Sequence, residues 1–460
     1  MKIFNTMTRK LEEFKPDDRK LVKVYCCGPT VYDFVHIGNL RSFVFYDVLR
    51  RVLEYNGFKV RLVMNITDVD DKTIKKSREA GVELKEYTEN YTRYFMEDIK
   101  KLNIKPADLY PHATDSIVEM EKIILKLKED GFAYETDDGI YYEISKFKDY
   151  GKLSKTRVGD STFSRINADE YEKDNLADFA LWKAWDKEDG EVYWTGKLPK
   201  GRPGWHIECS AMSISNLGPT IDIHSGGIDL IFPHHENEIA QSEAYTGKKF
   251  VNYWVHPEHL LVNGKKMSKS LKNFYTLKDL ERSGFDPLAF RLLMLDSDHK
   301  AKLDFTFEAL EKAEKTLDDL DITLKSFAKL KENDRNGPEP EIGLKAFDAA
   351  INNDFDTHAG LVEFFRVVDI ARARIKEGMV GKREKTKILD AINTMDGVLG
   401  ILEGYNIPDS IESLSKERSD LRRKKNWNEA DAIREKIKKR GFRVIDMVDG
   451  SYTIVKNRRV

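Results

Sequence analysis

The residues with the greatest chemical reach are few. Three cysteines occur in 460 residues, and two of them, Cys26 and Cys27, stand side by side in "YCCGPTVYDFVHIGN". The third, Cys209, lies in "WHIECSAM", and "FPHHENEIAQ" carries His234 and Glu238 four residues apart. That spacing puts both side chains on one face of a helix. Thiolate, imidazole and carboxylate are all zinc ligands. Ligands scattered in this way, without a paired CxxC, fit equally a polar helix start with a hydrogen-bonded histidine, and spacing alone leaves both readings open. Six of the ten histidines fall between His206 and His259, which agrees with either.

Two stretches could handle phosphate. There is no GxxxxGK[ST] and no GxGxxG, so neither a P-loop nor a dinucleotide fingerprint is available. "HIGN" (His36–Asn39) sits where a strand turns into a helix, and a helix start offers free N–H groups and a partial positive charge. His36 and Asn39 are three apart and could face one anion, with Gly38 allowing close approach of the backbone. Asn39 as a simple N-cap is the plainer alternative. In "NGKKMSKSLKN", Gly264 frees the loop while Lys266 and Lys269 bring two cations together, which could stabilise charge on departing phosphate oxygens. Taken alone it also reads as a solvated lysine loop.

The elements that must hold these residues are legible in part. Leu21–Cys27 reads as a buried strand. Leu40, Phe43, Val44, Val48 and Val52 recur at helical spacing, Gly57 marks the helix end, and Phe58–Asn65 is strand-like again. Strand, helix and strand with short turns form a βαβ unit and imply a parallel sheet in an α/β core. Alternation along the first strand puts Val22, Val24 and Cys26 on one face and Lys23, Tyr25 and Cys27 on the other. Cys26 then fits a small core hydrophobe, and Cys27 lies at the carboxyl end, where open α/β sheets bind ligands. From about His112 short strands and turns suggest a mixed insertion, and a second core-like section starts near "GRPGWHIECSAM". After Thr306 the pattern is helical, with "NDRNGPEPEIG" (Asn333–Gly343) as a linker, one charged helix over Ile411–Arg440, and a terminal hairpin or strand pair.

Bulk composition sets outer bounds. Hydrophobic residues make up 40% and charged residues 34%, enough for a packed core. No apolar run approaches the ~18 residues of a membrane span, and "MKIFNTMTRKLEEF" lacks the apolar stretch of a secretion signal. Three cysteines are no disulfide framework, so free or metal-bound thiols in a reducing cytoplasm are expected. Net charge is −2, yet Lys416–Val460 holds fifteen Lys/Arg against seven Asp/Glu, an excess of +8. That tail reads either as a solvated helical face or as a phosphate-contacting segment.

The motifs join in one pattern. "HIGN" after the first strand and "KMSKS" far downstream resemble the two hallmark motifs of class I aminoacyl-tRNA synthetases. "CGPTVYD", "NITDVDDK", "DYGKLS", "GRPGWHIECSAM", "DIHSGGIDLIFPHHENEIAQ" and "KMSKSLKNF" together resemble the cysteinyl-tRNA synthetase family, nearly end to end. The resemblance implies an α/β, Rossmann-like catalytic domain with a mixed insertion, then an all-α anticodon-binding bundle and a small C-terminal α/β segment. Its expected bounds are 1–111 and 201–255 for the two catalytic halves, 112–200 for the insertion and 256–306 for the KMSKS region. The helical stem-binding domain follows at 307–405 and the anticodon-recognition segment at 406–460.

The resemblance also implies roles. One zinc ion per chain would be held by Cys27, Cys209, His234 and Glu238, and the substrate thiolate would join it. Zinc prefers that soft thiolate to the hydroxyl of serine, so no editing domain is expected. Gly28, Thr30, Asn65, Thr67 and Trp205 would complete the cysteine pocket. His36, Ile37, Gly38, Asn39, Gly227, Asp229, Lys266, Met267, Ser268, Lys269 and Ser270 would bind ATP, which brings Mg2+; of these His36, Asn39, Lys266 and Lys269 would act in the reaction. The partners implied are L-cysteine, ATP and tRNA(Cys), with no membrane, and the chain would be a monomer. Two departures stand out. Asn39 takes the place of the second histidine of the usual HIGH motif, and "DFDTH" (Asp354–His358) replaces a more usual DFNTP. The alternatives are the cysteine:aminosugar ligase of mycothiol synthesis, which lacks the C-terminal RNA-binding part, and a non-catalytic paralogue that binds RNA or zinc.

Overall fold

The computed structural model describes residues 1–18, 20–156, 178–267, 271, 273–333, 343–402, 404, 407–447 and 450–458. The chain forms two compact units, Met1–Lys100 with Lys105–His259, and Lys101–Ile104 with Leu260–Val460.

The first unit is built on a four-stranded parallel sheet in the order Val251–Val255, Ile221–Ser225, Val22–Cys26, Val60–Met64. Val22, Val24, Tyr25 and Cys26 are all buried, as expected of a parallel strand covered on both faces. The second strand lies on one side of the first, and the third and fourth lie on the other. The order therefore reverses at the first strand, which opens a crevice beyond its carboxyl end. Cys27, Asn65 and Gly226 each follow directly on a strand and so meet there. Two glycines allow the close approach. A Cβ on Gly28 would lie 1.7 Å from the Asn65 carbonyl oxygen, and one on Gly226 would lie 2.5 Å from the His235 ring.

The helix Ile37–Tyr55 connects the first two strands. Its N-cap is His36, in extended backbone, whose Nδ1 accepts from the Asn39 N–H at 3.2 Å. The capping alternative raised for Asn39 is thus filled by His36, because a side chain caps the N–H two or three residues ahead of itself. Deep in the helix, Arg51 Nε pairs with Asp47 at 2.7 Å, both side chains buried. The long connection to the third strand carries the helices Asp71–Ala80, Leu84–Lys101 and Ile117–Glu129. It also carries an antiparallel sheet of Ala133–Thr136, Gly139–Tyr142, Phe179–Ala184 and Gly201–Pro203. The helices Trp205–Leu217 and Glu236–Thr246 then flank the third strand in sequence.

The second unit opens with a small sheet ordered Lys265–Lys266, Leu260–Val262, Leu303–Phe305. Six helices follow its first hairpin: Leu277–Arg282, Pro287–Leu295, Phe307–Lys329, Leu344–Ile351, Thr357–Glu377 and Lys382–Leu399. Fully buried Arg291 ties them to the Lys101–Ile104 segment, donating to the carbonyls of Leu102 (3.0 Å), Asn103 (3.2 Å) and Leu399 (2.8 Å). In Asp354–His358, Asp356 caps Thr357–Glu377 by accepting from the Ala359 N–H, Thr357 Oγ1 donates to the Leu295 carbonyl, and His358 Nδ1 lies 2.9 Å from Asp296. Asp and Asn cap about equally well, so the departure at residue 356 preserves the helix start. Most of the expected linker, residues 334–342, lies outside the described residues.

The charged stretch read as one helix is two, Asp409–Arg423 and Trp427–Lys439, with Lys425 between them at φ 61°. The reversal lets Ile411 share one core with Ile433 and Ile437, together with Val444 and Ile454 of the terminal hairpin Phe442–Asp446/Tyr452–Lys456. A straight helix would have left that apolar surface without a partner. Part of the basic excess is spent internally. Arg418 pairs bidentately with Asp446 (2.8 Å twice), Arg443 with Asp318 (2.9 Å) and Arg458 with Asp286 (2.7 Å). Lys424, Lys425, Lys436, Lys438, Lys439 and Arg440 stay exposed.

Ile437 is fully buried in the small C-terminal core. Ile437→Ala is expected to cost about 2–5 kcal/mol locally. Hydrogen exchange should report it as lost amide protection in Phe442–Asp446 and Tyr452–Lys456, with the Val22–Cys26 sheet unchanged.

Candidate metal centre and active site

Adjacent thiols have different surroundings. Burial alone pushes the Cys26 thiol pKa well up. Cys27 is also raised, first by burial and then by its neighbours Cys209 and Glu238. Cys209 comes from the first turns of Trp205–Leu217. His234 lies in the wide turn Ile231–His235, and Glu238 in the first turn of the helix Glu236–Thr246 that follows it. Their i,i+4 spacing brings His234 Nε2 to 3.1 Å from Glu238 Oε1. One donor atom from each of Cys27, Cys209, His234 and Glu238 lies within 4.8 Å of the others, and all four residues are buried.

The charge state of the cluster follows from its low-dielectric setting. A hydrogen bond from Cys27 pulls the Cys209 thiol down to about 6 against the opposing effect of burial, with His234 adding to the pull. Burial disfavours the His234 cation, but Cys209 and Glu238 outweigh it and hold that imidazole up to about 10. Burial likewise disfavours the Glu238 charge, and His224 and His234 outweigh it, bringing the carboxyl to about 2. Glu238 Oε1 is buried, with the His234 ring at 3.1 Å as its ion-pair partner.

An outer ring of imidazoles holds these donors. His206 Nδ1 lies 2.9 Å from His234 Nδ1, which leaves His234 Nε2 facing the cluster. His224 Nε2 lies 2.9 Å from Glu238 Oε2. His235 Nε2 lies 3.3 Å from Cys27 Sγ, and its Nδ1 continues to His256 and on to Thr6 Oγ1, at 2.8 Å each. Cys27, His224, His235 and Glu238 form a second set of donors within 4.8 Å. Burial lowers the pKa of His206, His235 and His256 well below the usual range, so they are neutral. Sequence reasoning missed all four ring histidines; their only trace was the crowding of histidines between residues 206 and 259. A soft, mixed sulfur, nitrogen and oxygen donor set fits a zinc ion, and outer imidazoles that steady its members are the usual mark of such a site.

Beside the cluster, the Cys27–Thr30 and Asn65–Thr67 segments run together. The Gly28 N–H donates to Asn65 Oδ1 (2.8 Å), Asn65 Nδ2 to Thr67 Oγ1 (3.1 Å), and Thr67 Oγ1 to Glu208 Oε2 (3.1 Å). Thr30 and Thr67 form an isolated parallel bridge. Glu208, also missed by sequence reasoning, is buried, and burial pushes its carboxyl pKa well up. Trp205 is 40% exposed and stacks on His234 with ring centroids 4.2 Å apart. Gly227 follows the third strand, and a Cβ built on it would lie 3.8 Å from Ser42 Oγ, within the helix that starts at Ile37. The Gly227–Asp229 segment thus lies beside the early part of the helix that starts at Ile37. Lys266 and Met267 belong to the second unit, where Lys266 is exposed in a short strand paired to Leu260–Val262. Ser268, Lys269 and Ser270 lie outside the described residues.

Residues 13–315 match the family model described as the class I (C) tRNA synthetase catalytic domain. Two solved structures share the fold. A Mycobacterium tuberculosis methionyl-tRNA synthetase in complex with methionyl-adenylate superposes with a TM-score of 0.58 at 13% identity, covering 83% of this chain and 90% of its own. A putative arginyl tRNA synthetase from Campylobacter jejuni gives 0.55 at 13% identity, covering 85% and 93%. Fold and catalytic-domain match together define a class I aminoacyl-tRNA synthetase. Among curated relatives, the cysteine--tRNA ligase of Chlamydia felis is 44% identical, covering 97% of this chain and 96% of its own. That of Brachyspira hyodysenteriae is 43% identical over 97% and 98%. The chain belongs to the cysteine--tRNA ligase family.

The two thiols separate by experiment. Cys27→Ser is expected to abolish cysteine-dependent ATP–pyrophosphate exchange, because it removes a sulfur donor from the cluster. Cys26→Ser buries a hydroxyl and is expected to cost about 1–3 kcal/mol of stability, read from chemical denaturation, while the exchange persists. Equal loss of exchange in folded samples of both would overturn the assignment of faces.

Proposed function

We propose that this chain activates L-cysteine with ATP to cysteinyl-adenylate, releasing pyrophosphate, and passes the aminoacyl group to tRNA(Cys), releasing AMP. The observation that carries the reading is the buried Cys27–Cys209–His234–Glu238 donor set at the carboxyl end of a class I synthetase sheet. A zinc ion held there would supply a soft position that takes a thiolate in preference to a hydroxyl. A purely apolar pocket separates two such close side chains weakly, so selection by sulfur removes the need for editing.

The residues around the cluster divide the remaining work. Trp205 closes over the substrate side chain, while Gly28, Thr30, Asn65 and Thr67 line the amino-acid pocket with groups already joined by hydrogen bonds. The start of the helix at Ile37 presents His36, Gly38 and Asn39 to the ATP phosphates, where N–H groups and the helix dipole favour negative charge. Asn39 keeps a donor there but cannot carry a proton, which suits a step that needs hydrogen bonding and no acid. Gly227 and Asp229 hold the adenylate. Lys266 and Lys269, with Mg2+ brought by ATP, offset charge on the departing pyrophosphate. Positioning and charge stabilisation carry the chemistry, with little acid–base work by side chains. Residues 307–405 contact the tRNA stem and 406–460 the anticodon, where the exposed lysines between Lys424 and Lys439 suit a phosphate backbone. We place the chain in the cytoplasm as a monomer; no helix among the described residues is long and apolar enough to cross a membrane.

Purified protein should contain one equivalent of zinc. It should exchange pyrophosphate into ATP with cysteine but not serine, lose that activity to a strong chelator, and charge tRNA(Cys) transcript. Under half an equivalent of metal in carefully prepared active protein would sink the zinc reading. Exchange without charging would point instead to a small-molecule cysteine ligase.

A further inference from the structure

The short segment that leads to Trp205 is held by a charge network with a buried core, Arg202 and Asp189, and a partly exposed member, Asp71. Arg202 is buried, and its guanidinium lies between two carboxylates: Nε donates to Asp189 Oδ1 at 2.6 Å, and Nη2 donates to Asp71. Asp71 also accepts from Lys183 Nζ at 2.8 Å. Asp189 is itself buried in the turn that follows Phe179–Ala184, whereas Asp71 begins the helix that follows the Thr67 segment. Just upstream, the Lys200 ammonium sits 3.7 Å and 3.8 Å from the ring centroids of Trp185 and Tyr193. On either side of Arg202, a Cβ on Gly201 or Gly204 would come within 2.1 Å of the carbonyl oxygens of Lys183 or Ala180. The backbone therefore lies tight against the neighbouring strand up to the residue before Trp205.

A buried ion pair adds little net stability, because desolvation offsets most of the Coulomb gain. What it supplies is direction. A planar guanidinium that donates to two carboxylates at once fixes their mutual geometry in a way that an ammonium or an apolar side chain cannot. Here the two carboxylates come from different elements, one leading back to Thr67 and one packed beside the strand that leads to Trp205.

We infer that Arg202 is a positioning residue of the amino-acid pocket, setting the separation of the Trp205 wall from the Thr67 wall through Asp71 and Asp189. The inference rests on the reading of Thr67 and Trp205 as pocket walls. Arg202 bonds to Asp71 and Asp189 and not to the sulfur-selecting donors, so its loss should weaken cysteine binding and leave the phosphate chemistry and the choice of sulfur over oxygen in place.

The test is a double-mutant cycle in ATP–pyrophosphate exchange on the full chain, with zinc content measured for each variant. Arg202→Met should raise KM for cysteine by about tenfold, with kcat and KM for ATP within about twofold and serine still rejected. Trp205→Ala should raise the same KM, and Arg202→Met added to Trp205→Ala should raise it by no more than about twofold further, because both act through one wall. Arg202→Lys, which keeps the charge but not the fork, should fall between wild type and Arg202→Met, and it carries the cycle if Arg202→Met fails to fold. Additive effects, or equal rises in both KM values, would overturn the inference while leaving the pocket reading intact. No change in KM for cysteine on Trp205→Ala would overturn the pocket reading, and this inference with it.

Discussion

Four groups that water would normally solvate are packed into the interior at the end of the central sheet: two thiols, an imidazole and a carboxylate. Much of the first unit follows from that constraint. Each such group costs free energy to bury unless it finds a partner, and charged ones cost several kcal/mol in a low-dielectric setting. The chain meets the cost by making the groups partners of one another and by ringing them with histidines. Cys209 and Glu238 are drawn toward their anions and His234 toward its cation, and His206, His224 and His235 each lie within hydrogen-bonding distance of one of the four groups. Both Glu238 oxygens lie against imidazoles, Oε1 at 3.1 Å from His234 and Oε2 at 2.9 Å from His224.

The constraint reaches outward into the backbone. Strands must end close together for Cys27 to meet residues from two later helices, and Gly28 and Gly226 are the points where a Cβ would forbid it. The same closeness sets Asn65 and Thr67 against the Gly28 segment, so the pocket wall and the metal cluster share one framework. At the start of the Ile37 helix, His36 spends its Nδ1 on capping, which orients the ring.

Particular residues show how far sequence reading reached. Strand alternation separated Cys26 from Cys27, because a period of two is a local property of any extended chain, and among the described residues only Cys27 of the two joins the donor set. The i,i+4 pairing of His234 with Glu238 was legible for the same reason. The outer histidines were not, since nothing local marks His224 or His256 as partners of Glu238 and His235. Nor was the reversal at Lys425: the charges of Arg422–Lys425 suit an exposed helix as well as a turn, and only the shared core of Ile411, Ile433, Ile437, Val444 and Ile454 decides between them.

By itself, then, the sequence determined the donor types, the faces they occupy within each element, the parallel α/β core and, through its motifs, the family. The tertiary structure decided which distant donors meet, which imidazole steadies which ligand, that His36 rather than Asn39 caps the first helix, and that Arg202 spans Asp71 and Asp189. The division has a physical reason. Periodicity records neighbours along one element, set by backbone geometry that every residue shares. Meetings between elements depend on strand order, on where a missing Cβ permits approach, and on which buried polar atoms are still unpaired once the local hydrogen bonds are made.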